Sequence, residues 1–394
     1  MSWELKRLSD CCISIADGDH QAPPKADSGI PFVTISNINT TNQFDFTDTM
    51  FVPQEYYDRL DTKRKAQKGD VLYSVVGSFG VPVYMRETIP FVFQRHIAIL
   101  RPNDTILPQF LYYTMLSRDF YMMADAAALG AAQRTISLTA LRNMKIAVPP
   151  MNVQERIVDI LSSYDDLIAN NQKQIKLLEE AAQRLYKEWF VDLRFPGHET
   201  TSITDDIPDG WTVQSMNDVA EYINGYAFKP TDWGTVGKPI IKIKEMGSGV
   251  TADTPRNTGE DIPEKYNVTA GDILFSWSAT LSAMIWDEED GLLNQHLFKV
   301  IPGEGISREF VLQSILKTLD EFSNLTTGST MKHIQRGKLK EVKVNVPPTE
   351  LMEQYRNISE PIREQILNVK RQIILLREAR DRLLPKLMNG EIEV

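Results

Sequence analysis

The sequence predicts an α+β fold with an internal repeat: two mixed α/β domains, separated and joined by two long antiparallel coiled-coil helices about a pseudo-twofold axis. Three observations support this prediction. Short segments of the first half recur in the second half in the same order. Each half then passes through a double proline into a long stretch with apolar residues three and four positions apart. Both stretches have the same heptad phase, which is typical of paired helices.

The repeat is clearest in three pairs of similar segments. The number of residues between equivalent positions shows where the globular and helical regions begin and end. The pairs are KGDVLYSVVGS and AGDILFSWSAT, QRHIAILRP and NQHLFKVIP, and LRNMKIAVPP and LKEVKVNVPP. The distance between equivalent residues falls from 208 positions at Trp3 and Trp211 to 198 at Pro149 and Pro347, and then stays constant. We therefore predict four regions, of which the first and third are globular and the second and fourth helical: 1–150, 151–198, 199–348 and 349–394.

Each globular region is predicted to mix strands with helices. Gly69-Asp70 and Gly271-Asp272 are turn signals, and an alternating apolar strand follows each of them. Further along, helical spacing is found at Pro108–Ser117 and at Arg308–Lys317.

The two helical regions are predicted to pair with each other. The double prolines set each helix start, and Asn152 is a candidate N-cap of the first helix. A helix of about 38 residues is roughly 57 Å long, too long to bury its apolar stripe on one small domain. The alternative is that each helix packs only on its own domain. Residues expected in the helix-pair interface are Ile157, Ile168, Ile175, Leu178, Leu185, Ile366, Ile373, Leu376 and Leu383.

Two residues interrupt these apolar series. Asn171 is the one polar residue in the first series, and it either fixes the register of the helix pair or faces solvent. Pro361 lies inside the second series, where it predicts a kink or a restart of the helix.

Composition excludes several classes of protein. Apolar residues make up 42% of the 394 residues, which is enough for a hydrophobic core. The net charge of −10 argues against a non-specific DNA-coating protein. No apolar run reaches the roughly 18 residues of a membrane span, and no signal peptide opens the chain, so a cytoplasmic protein is expected. Cys11 and Cys12 are adjacent, which indicates a reduced, partly buried thiol pair.

Known catalytic motifs do not occur in the sequence. It contains no P-loop, no GxSxG elbow, no HExxH and no set of kinase motifs. The adenine-methylation motif [DN]PP[YF] and a glycine-rich S-adenosylmethionine loop do not occur either, and the five histidines are not spaced as metal ligands. The chain is therefore expected to bind rather than to catalyse.

Polar and basic side chains at matched positions of the two globular regions are candidates for contact with DNA. Arg, Gln and Asn read purine edges, and Lys and Arg contact phosphates. Residues 332–343 hold five basic side chains and one acid, Glu341, in an otherwise acidic chain. The candidate DNA-binding residues are Ser78, Gln94, Arg95, His96, Gln133, Arg134, Lys242, Lys244, Ser278, Gln295, His296, Lys332, His333, Arg336 and Lys338.

Several of these residues also have a structural interpretation, and both interpretations stay open from the sequence. His96 and His296 each begin an apolar strand, where a hydrogen-bonded structural histidine is the alternative. Lys242 and Lys244 alternate along a predicted strand at Pro239–Met246, so they share one face that meets either phosphates or water. The stretch at 332–343 either faces DNA or is simply solvated.

The order of these motifs, and their occurrence twice, resembles the specificity subunit of Type I restriction-modification systems over essentially the whole chain. The matching features are the opening Trp3–Leu8, the GD-[VI]-L strands, the strands that begin at His96 and His296, the stretches Gly130–Ile136 and Gly328–Ile334, the VPP segments, the connector Arg184–Gly197 and the terminal LPKLMNGEIEV.

The resemblance implies a non-catalytic DNA-recognition subunit. Members of that family have two target recognition domains, each of which reads one half of an asymmetric bipartite DNA site, and helices that fix the spacing of the half-sites. The implied partners are double-stranded DNA, two modification (methyltransferase) subunits and restriction (motor-nuclease) subunits, with no membrane. S-adenosylmethionine, ATP and Mg are expected on the partner subunits, and no cofactor is expected on this chain.

Two other classes of function are alternatives. A scaffold would carry two protein-binding heads on a coiled coil, and a nuclease would have a metal-dependent site of its own. The matched Arg and Gln positions and the local basic stretch favour DNA recognition over the scaffold. The missing catalytic motifs argue against the nuclease.

Overall fold

The computed structural model consists of two compact units. The first comprises Met1–Ala169 together with Ile374–Val394, and the second comprises Asn170–Ile373. The structure describes residues 3–39, 42–77, 79–130, 134–278, 280–324 and 336–394, without the side chains of 321, 323, 324 and 336.

The described part of the first unit contains three sheets. Its strands are β1 (Glu4–Arg7), β2 (Cys12–Asp17), β3 (Ile30–Val33), β4 (Met50–Val52), β5 (Val71–Ser74), β6 (Pro82–Tyr84), β7 (Val92–Phe93), β8 (Ile97–Pro102) and β9 (Lys145–Val148). Its short helices are α1 (Gln54–Arg59), α2 (Pro108–Leu116), α3 (Arg118–Ala127) and α4 (Leu138–Asn143). The strands form an antiparallel sheet β2-β8-β5-β6, a mixed sheet β4-β3-β7 and the pair β1-β9.

The second unit repeats this plan. Its strands are β10 (Ile203–Thr204), β11 (Ile207–Pro208), β12 (Thr212–Ser215), β13 (Ala220–Asn224), β14 (Lys238–Ile241), β15 (Arg256–Asn257), β16 (Asn267–Val268), β17 (Ile273–Ser276), β18 (Ser282–Ile285), β19 (Gly291–Leu293), β20 (Leu297–Pro302) and β21 (Lys343–Val346). The helices besides the long ones are α6 (Met216–Val219), α7 (Ile243–Ser248), α8 (Arg308–Lys317) and α9 (Leu319–Asn324). The sheets are β13-β20-β17-β18, β15-β14-β19-β16, β12-β21 and β10-β11.

Two long helices pass from one unit to the other. In chain order they are α5 (Met151–Tyr186, 36 residues) and α10 (Thr349–Met388, 40 residues). We call them αL1 and αL2, because they are the equivalent members of the repeat. Helix αL1 continues into a π-helical turn at Lys187–Val191. Helix αL2 continues through Pro361, so the helix does not restart there. Asn152 lies inside the first turn of αL1, which begins at Met151, so its assignment as the N-cap is wrong.

Within each unit the long helices contribute to the core of the head, by which we mean the part of a unit outside αL1 and αL2. In the first unit, Ile157 and Leu161 of αL1 and Leu384 of αL2 pack into one cluster with head residues such as Phe110. In the second unit, Tyr186 from the end of αL1 and Tyr355 from the start of αL2 lie in the corresponding cluster. The start of one long helix therefore shares a core with the end of the other. This confirms the antiparallel pair and the internal repeat, and it shows that the helices pack on the heads as well.

Equivalent strands and helices confirm the local predictions. The strands predicted after the two Gly-Asp turns are β5 and β17, and the predicted helices are α2 and α8. Gly69 and Gly271 both have positive φ, +93° and +101°, which glycine adopts without strain. Asn171 is buried and donates a hydrogen bond to the Gln372 Oε1 at 3.3 Å, so it does not face solvent.

Cys11 and Cys12 are buried free thiols in the core of the first unit, as the sequence predicted. Burial, followed by the neighbouring Cys11, raises the pKa of Cys12 to about 12. Both thiols are therefore uncharged at neutral pH and act as small apolar core residues.

Candidate nucleic-acid interface

In each unit a parallel strand pair ends at the same sheet edge, and the candidate residues lie there. Strands β3 and β7 run parallel, and the Gln94 N–H donates to the Val33 carbonyl at 3.3 Å. Strands β14 and β19 run parallel in the same way, and the Asn294 N–H donates to the Ile241 carbonyl at 3.0 Å. We call the segments that follow, residues 94–96 and 294–296, the edge turns.

A second strand end meets each edge turn through the backbone. The Asp19 N–H donates to the Phe93 carbonyl at 2.9 Å, and the Tyr226 N–H donates to the Leu293 carbonyl at 2.8 Å. The glycine before each donor has no room for a side chain. A Cβ on Gly18 would lie 2.2 Å from the Phe93 carbonyl oxygen, and one on Gly225 would lie 2.0 Å from that of Asn294. The backbone frame of the edge is therefore the same in both units.

The chain that leaves β5 or β17 completes each edge. The Val75 N–H donates to the His96 carbonyl at 2.8 Å, and the Trp277 N–H donates to the His296 carbonyl at 3.4 Å. In the first unit the Ile136 N–H also donates to the Val75 carbonyl at 3.0 Å, which brings the segment that contains Arg134 close to the edge. The structure thus gathers Gln94, Arg95, His96 and Arg134 in one region.

The side chains of the first edge differ in solvent exposure and in their contacts. Arg95 is exposed, whereas Gln94 and His96 are half-buried. Burial, and then the Arg95 charge, lowers the pKa of His96, so its imidazole is neutral at pH 7. Arg134 is held by an ion pair of 2.6 Å with Asp125. Of the candidates in this unit, Ser78 and Gln133 lie outside the described residues.

Acidic residues at the end of β2 belong to the same edge, and the sequence did not single them out. Asp17 accepts a contact of 2.7 Å from His20, and Arg64 lies 3.9 Å from Asp17 and 3.8 Å from Asp19. Tyr56 donates a hydrogen bond to Asp19. Burial tends to raise the pKa of Asp19, but the hydrogen bonds from Tyr56 and the backbone, with the Arg64 charge, lower it overall.

The second edge holds a chain of polar side chains. The Gln295 Nε2 lies 3.3 Å from the His296 Nε2, and the His296 Nδ1 lies 3.3 Å from the Ser278 Oγ. Because an amide nitrogen only donates, the His296 Nε2 accepts and its Nδ1 carries the proton toward Ser278. The candidates Ser278, Gln295 and His296 are therefore one connected group.

Asn224, which the sequence did not single out, lies beside this group. The Trp277 Nε1 donates to the Asn224 Oδ1 at 3.1 Å, and the rings of Trp277 and His296 are 5.9 Å apart. This bond uses one of the two acceptor sites of the amide oxygen of the exposed Asn224. The geometry therefore favours its Nδ2 as a donor toward an outside partner.

Lys242 and Lys244 do not alternate on a strand, so that prediction is wrong. Strand β14 ends at Ile241, Lys242 caps helix α7, and Lys244 is exposed in its first turn. The Glu245 carboxylate accepts from the Lys242 N–H at 3.1 Å, which favours a helix start over a continued strand. The Lys242 ammonium lies 5.4 Å from the centroid of the Trp233 ring.

The basic stretch is only partly described. Lys332 and His333 lie outside the described residues, and Arg336 is placed by its backbone in a 3₁₀ turn, Arg336–Lys340. The Lys338 ammonium forms an ion pair of 2.6 Å with Glu341, the one acid of the stretch. The charge of Lys338 is thereby locally compensated, whereas Lys340 and Lys343 are exposed.

The nine residues predicted for the helix-pair interface are all buried or half-buried. Ile157, Ile168, Ile366 and Ile373 are buried. The other five are half-buried: Ile175, Leu178, Leu185, Leu376 and Leu383. Arg380 of αL2 forms an ion pair of 2.7 Å with Asp165 of αL1.

Two further findings concern metals and membranes. Within the described ranges, no group of three or more His, Cys, Asp or Glu side chains is placed to hold a metal ion. Among the described helices, none has the length and apolar character that a membrane crossing requires.

The two heads share one backbone arrangement at the edge but differ in the side chains that it presents. With the pair of long helices, this is the architecture of a recognition protein that arose by duplication. The Type I restriction modification DNA specificity domain matches residues 2–180 and 208–368. The chain therefore belongs to this family, the specificity subunits of Type I restriction-modification systems, which favours DNA recognition over the scaffold.

Curated relatives and solved structures agree with this assignment. The specificity subunit of the Type I restriction enzyme MjaIX of Methanocaldococcus jannaschii is 24% identical over 74% of this chain and 71% of its own length. That of HindI of Haemophilus influenzae is 23% identical over 92% of this chain and 95% of its own. The crystal structure of the Type-I S subunit from M. genitalium covers 98% of this chain and 96% of its own, with a TM-score of 0.55 at 15% identity, and so has the same fold.

Proposed function

We propose that each head contacts one half of a bipartite DNA sequence through its edge turn and the strand ends around it. The observation that carries this proposal is the pair of equivalent edges with different side chains. The equivalent pairs are Asp17 and Asn224, Asp19 and Tyr226, Thr34 and Lys242, and Arg95 and Gln295. A common frame with different reading groups is what two unlike half-sites require.

The chemistry of the two edges predicts different base preferences. A carboxylate accepts from the cytosine amino group, whereas amides and guanidinium groups donate to purine acceptors. Asn224, whose oxygen already accepts from Trp277, suits donation from its Nδ2 to the N7 or O6 acceptor of a purine. The lysines beside the second edge, Lys242 and Lys244, suit phosphate contacts that fix the register. The individual DNA-binding residues stay predictions.

The long helices are proposed to fix the spacer between the half-sites. At 1.5 Å per residue, their 36 and 40 residues are about 54 and 60 Å long. That length corresponds to roughly 16–18 base pairs of B-DNA, enough for two short half-sites and a spacer.

Two modification subunits are proposed to dock on the helices and heads. Leu177 and Leu375 are 198 residues apart and are 56% and 64% exposed, so the repeat presents equivalent apolar positions twice. This supports one partner binding in two copies. In this proposal the chain itself is non-catalytic and cytoplasmic, the methyltransferase partners use S-adenosylmethionine, and motor-nuclease partners use ATP and Mg.

An exchange of one head tests the proposal. Residues 1–150 are replaced by the same region of a relative, and methylated sites are mapped by long-read sequencing in a host that also expresses the modification subunit. We expect one half-site to change and the other half-site and the spacer to stay the same.

The matched control exchanges residues 199–348, for which we expect the complementary change. A change of both half-sites by either exchange contradicts the assignment of one head to one half-site. No sequence-specific methylation in any of the assembled complexes favours the scaffold instead.

A further inference from the structure

A buried ion pair connects head and long helix in the second unit. The Arg363 guanidinium of αL2 donates from Nε and Nη2 to the Glu309 carboxylate of α8, each at 2.9 Å. Gln313 donates to the same carboxylate at 2.8 Å. The side chains of Arg363 and Glu309 are only 8% and 1% exposed, so neither charge can rely on water.

The equivalent position in the first unit has the opposite charge. Asp165 of αL1 lies 198 residues before Arg363 and is 12% exposed. It accepts from the Tyr113 hydroxyl of α2 at 2.7 Å and from the Arg380 Nη1 of αL2 at 2.7 Å. The residue equivalent to Glu309 is the uncharged Gln109, since α2 and α8 start 200 residues apart.

The partner helix differs between the units too. The residue equivalent to Arg380 is Ala182, which is buried. The antiparallel register given by Asp165 with Arg380 and by Asn171 with Gln372 places Ala182 opposite Arg363. The equivalent positions Asp165, which is half-buried, and Arg363, which is buried, therefore have opposite charges. The counter-charge comes from the other long helix in the first unit and from the head in the second.

A second charge contact is also inverted between the heads. Arg86 follows β6 and pairs with Asp166 of αL1 at 2.5 Å, whereas Asp287 follows β18 and pairs with Lys370 of αL2 at 2.6 Å. The residue before Arg86 accepts from the Gly69 N–H and donates to the Asp70 carbonyl, and the residue before Asp287 bonds to Gly271 and Asp272 in the same way. Arg86 and Asp287 are therefore equivalent.

We infer that these contacts are a pairing code that makes each half of the repeat accept the other half and reject a second copy of itself. Two copies of αL2 in this register would bring Arg363 against Arg380. The second head on αL1 would bring Glu309 against Asp165. A buried charge without its partner is strongly destabilising, so both combinations are excluded. The code thus opposes dimers in which αL1 pairs with αL1, or αL2 with αL2, of a second chain.

The experiment transfers the second set of residues into the first unit of the full-length chain. The variant Q109E/Y113Q/D165R/R380A keeps a carboxylate opposite a guanidinium but makes the two units alike at these four positions. Wild type and variant are refolded with two different tags, and exchange is measured by tag pull-down and by light scattering after size-exclusion chromatography. We expect tagged chains to mix in dimers of the variant but not of the wild type. Equal behaviour of the two proteins overturns the inference.

A second pair of variants tests the Glu309–Arg363 ion pair itself. This test does not depend on whether the four-substitution variant folds. R363E places two carboxylates together and is expected to raise the unfolding equilibrium constant about 100-fold or more. E309R/R363E reverses the pair and is expected to recover most of that loss, measured by urea unfolding. A double variant no more stable than R363E overturns the inference, because the charges would then not act as a pair.

Discussion

At the scale of single residues, two glycines decide whether the edges can form. Gly18 and Gly225 have ordinary φ values, so their role is space for the neighbouring strand and not backbone freedom. We predict that Gly225→Ala displaces the 294–296 turn and destabilises the second unit by about 1–3 kcal/mol, the usual cost of overpacking. Urea unfolding measures the stability, and methylation mapping reports the function.

Gly247→Ala is the matched control, because nothing lies within 4 Å of a Cβ at that position of α7. It should leave stability and methylation near wild type. Gly18→Ala should affect the first edge as Gly225→Ala affects the second. Wild-type stability of Gly225→Ala would show that the turn can move aside, contrary to this prediction.

The residues of the edges were only partly predictable. The edge turns were found because His96 and His296 recur in matched motifs. Asp17 and Asn224 were missed because the parallel strand pairing that brings them there is not encoded locally. The helix start at Lys242 had a local signal, Glu245 three residues later, but the apolar alternation of the preceding strand obscured it.

At the scale of the elements, the helix pair was predicted well because a heptad pattern over many turns is a strong signal. Its one buried polar residue now has a defined partner, since Asn171 donates to Gln372. The equivalent residue Val369 is 1% exposed, so the same position is apolar in the other half. Asn171 therefore costs stability and contributes to the register of the pair.

We predict that Asn171→Val increases the free energy of unfolding by about 1 kcal/mol, because it replaces a buried amide by the apolar residue of the repeat. Urea unfolding of the full chain measures the change. Gln372→Ala is the control, since Gln372 is exposed and its loss should lower stability only by leaving Asn171 unpaired. A less stable Asn171→Val would mean that the amide bond outweighs the cost of burying it.

At the scale of the whole molecule, duplication was visible in the sequence because the helices kept a constant spacing of 198 residues while the heads did not. The connection of each head to its own helices was not visible, since it depends on buried pairs such as Glu309 with Arg363 whose members lie far apart in sequence. The long-range charges, and not the periodicity, distinguish the two halves.

If the long helices set the spacer, as in the proposed function, longer helices should lengthen it. Heptads are inserted into both long helices, after Ala169 and after Ile373, where the chain passes between the units. Whole heptads keep the apolar face in phase. Three heptads add about 31 Å, close to one turn of DNA, whereas one heptad adds about 10 Å, or roughly 3 base pairs.

The three-heptad protein should methylate the same half-sites with a spacer longer by about 9 base pairs, because the lengthened helices then place both heads on the same side of the duplex. The one-heptad protein should lose methylation at the original spacer, since a shift of roughly 3 base pairs turns one half-site away from its head.

Circular dichroism checks that both proteins keep their helices, and long-read sequencing maps the sites. Full methylation at the original spacer by both proteins would mean that the helices do not set the distance. Under the proposed function, that distance has to stay fixed, and the constant spacing of 198 residues through the helices supports this role.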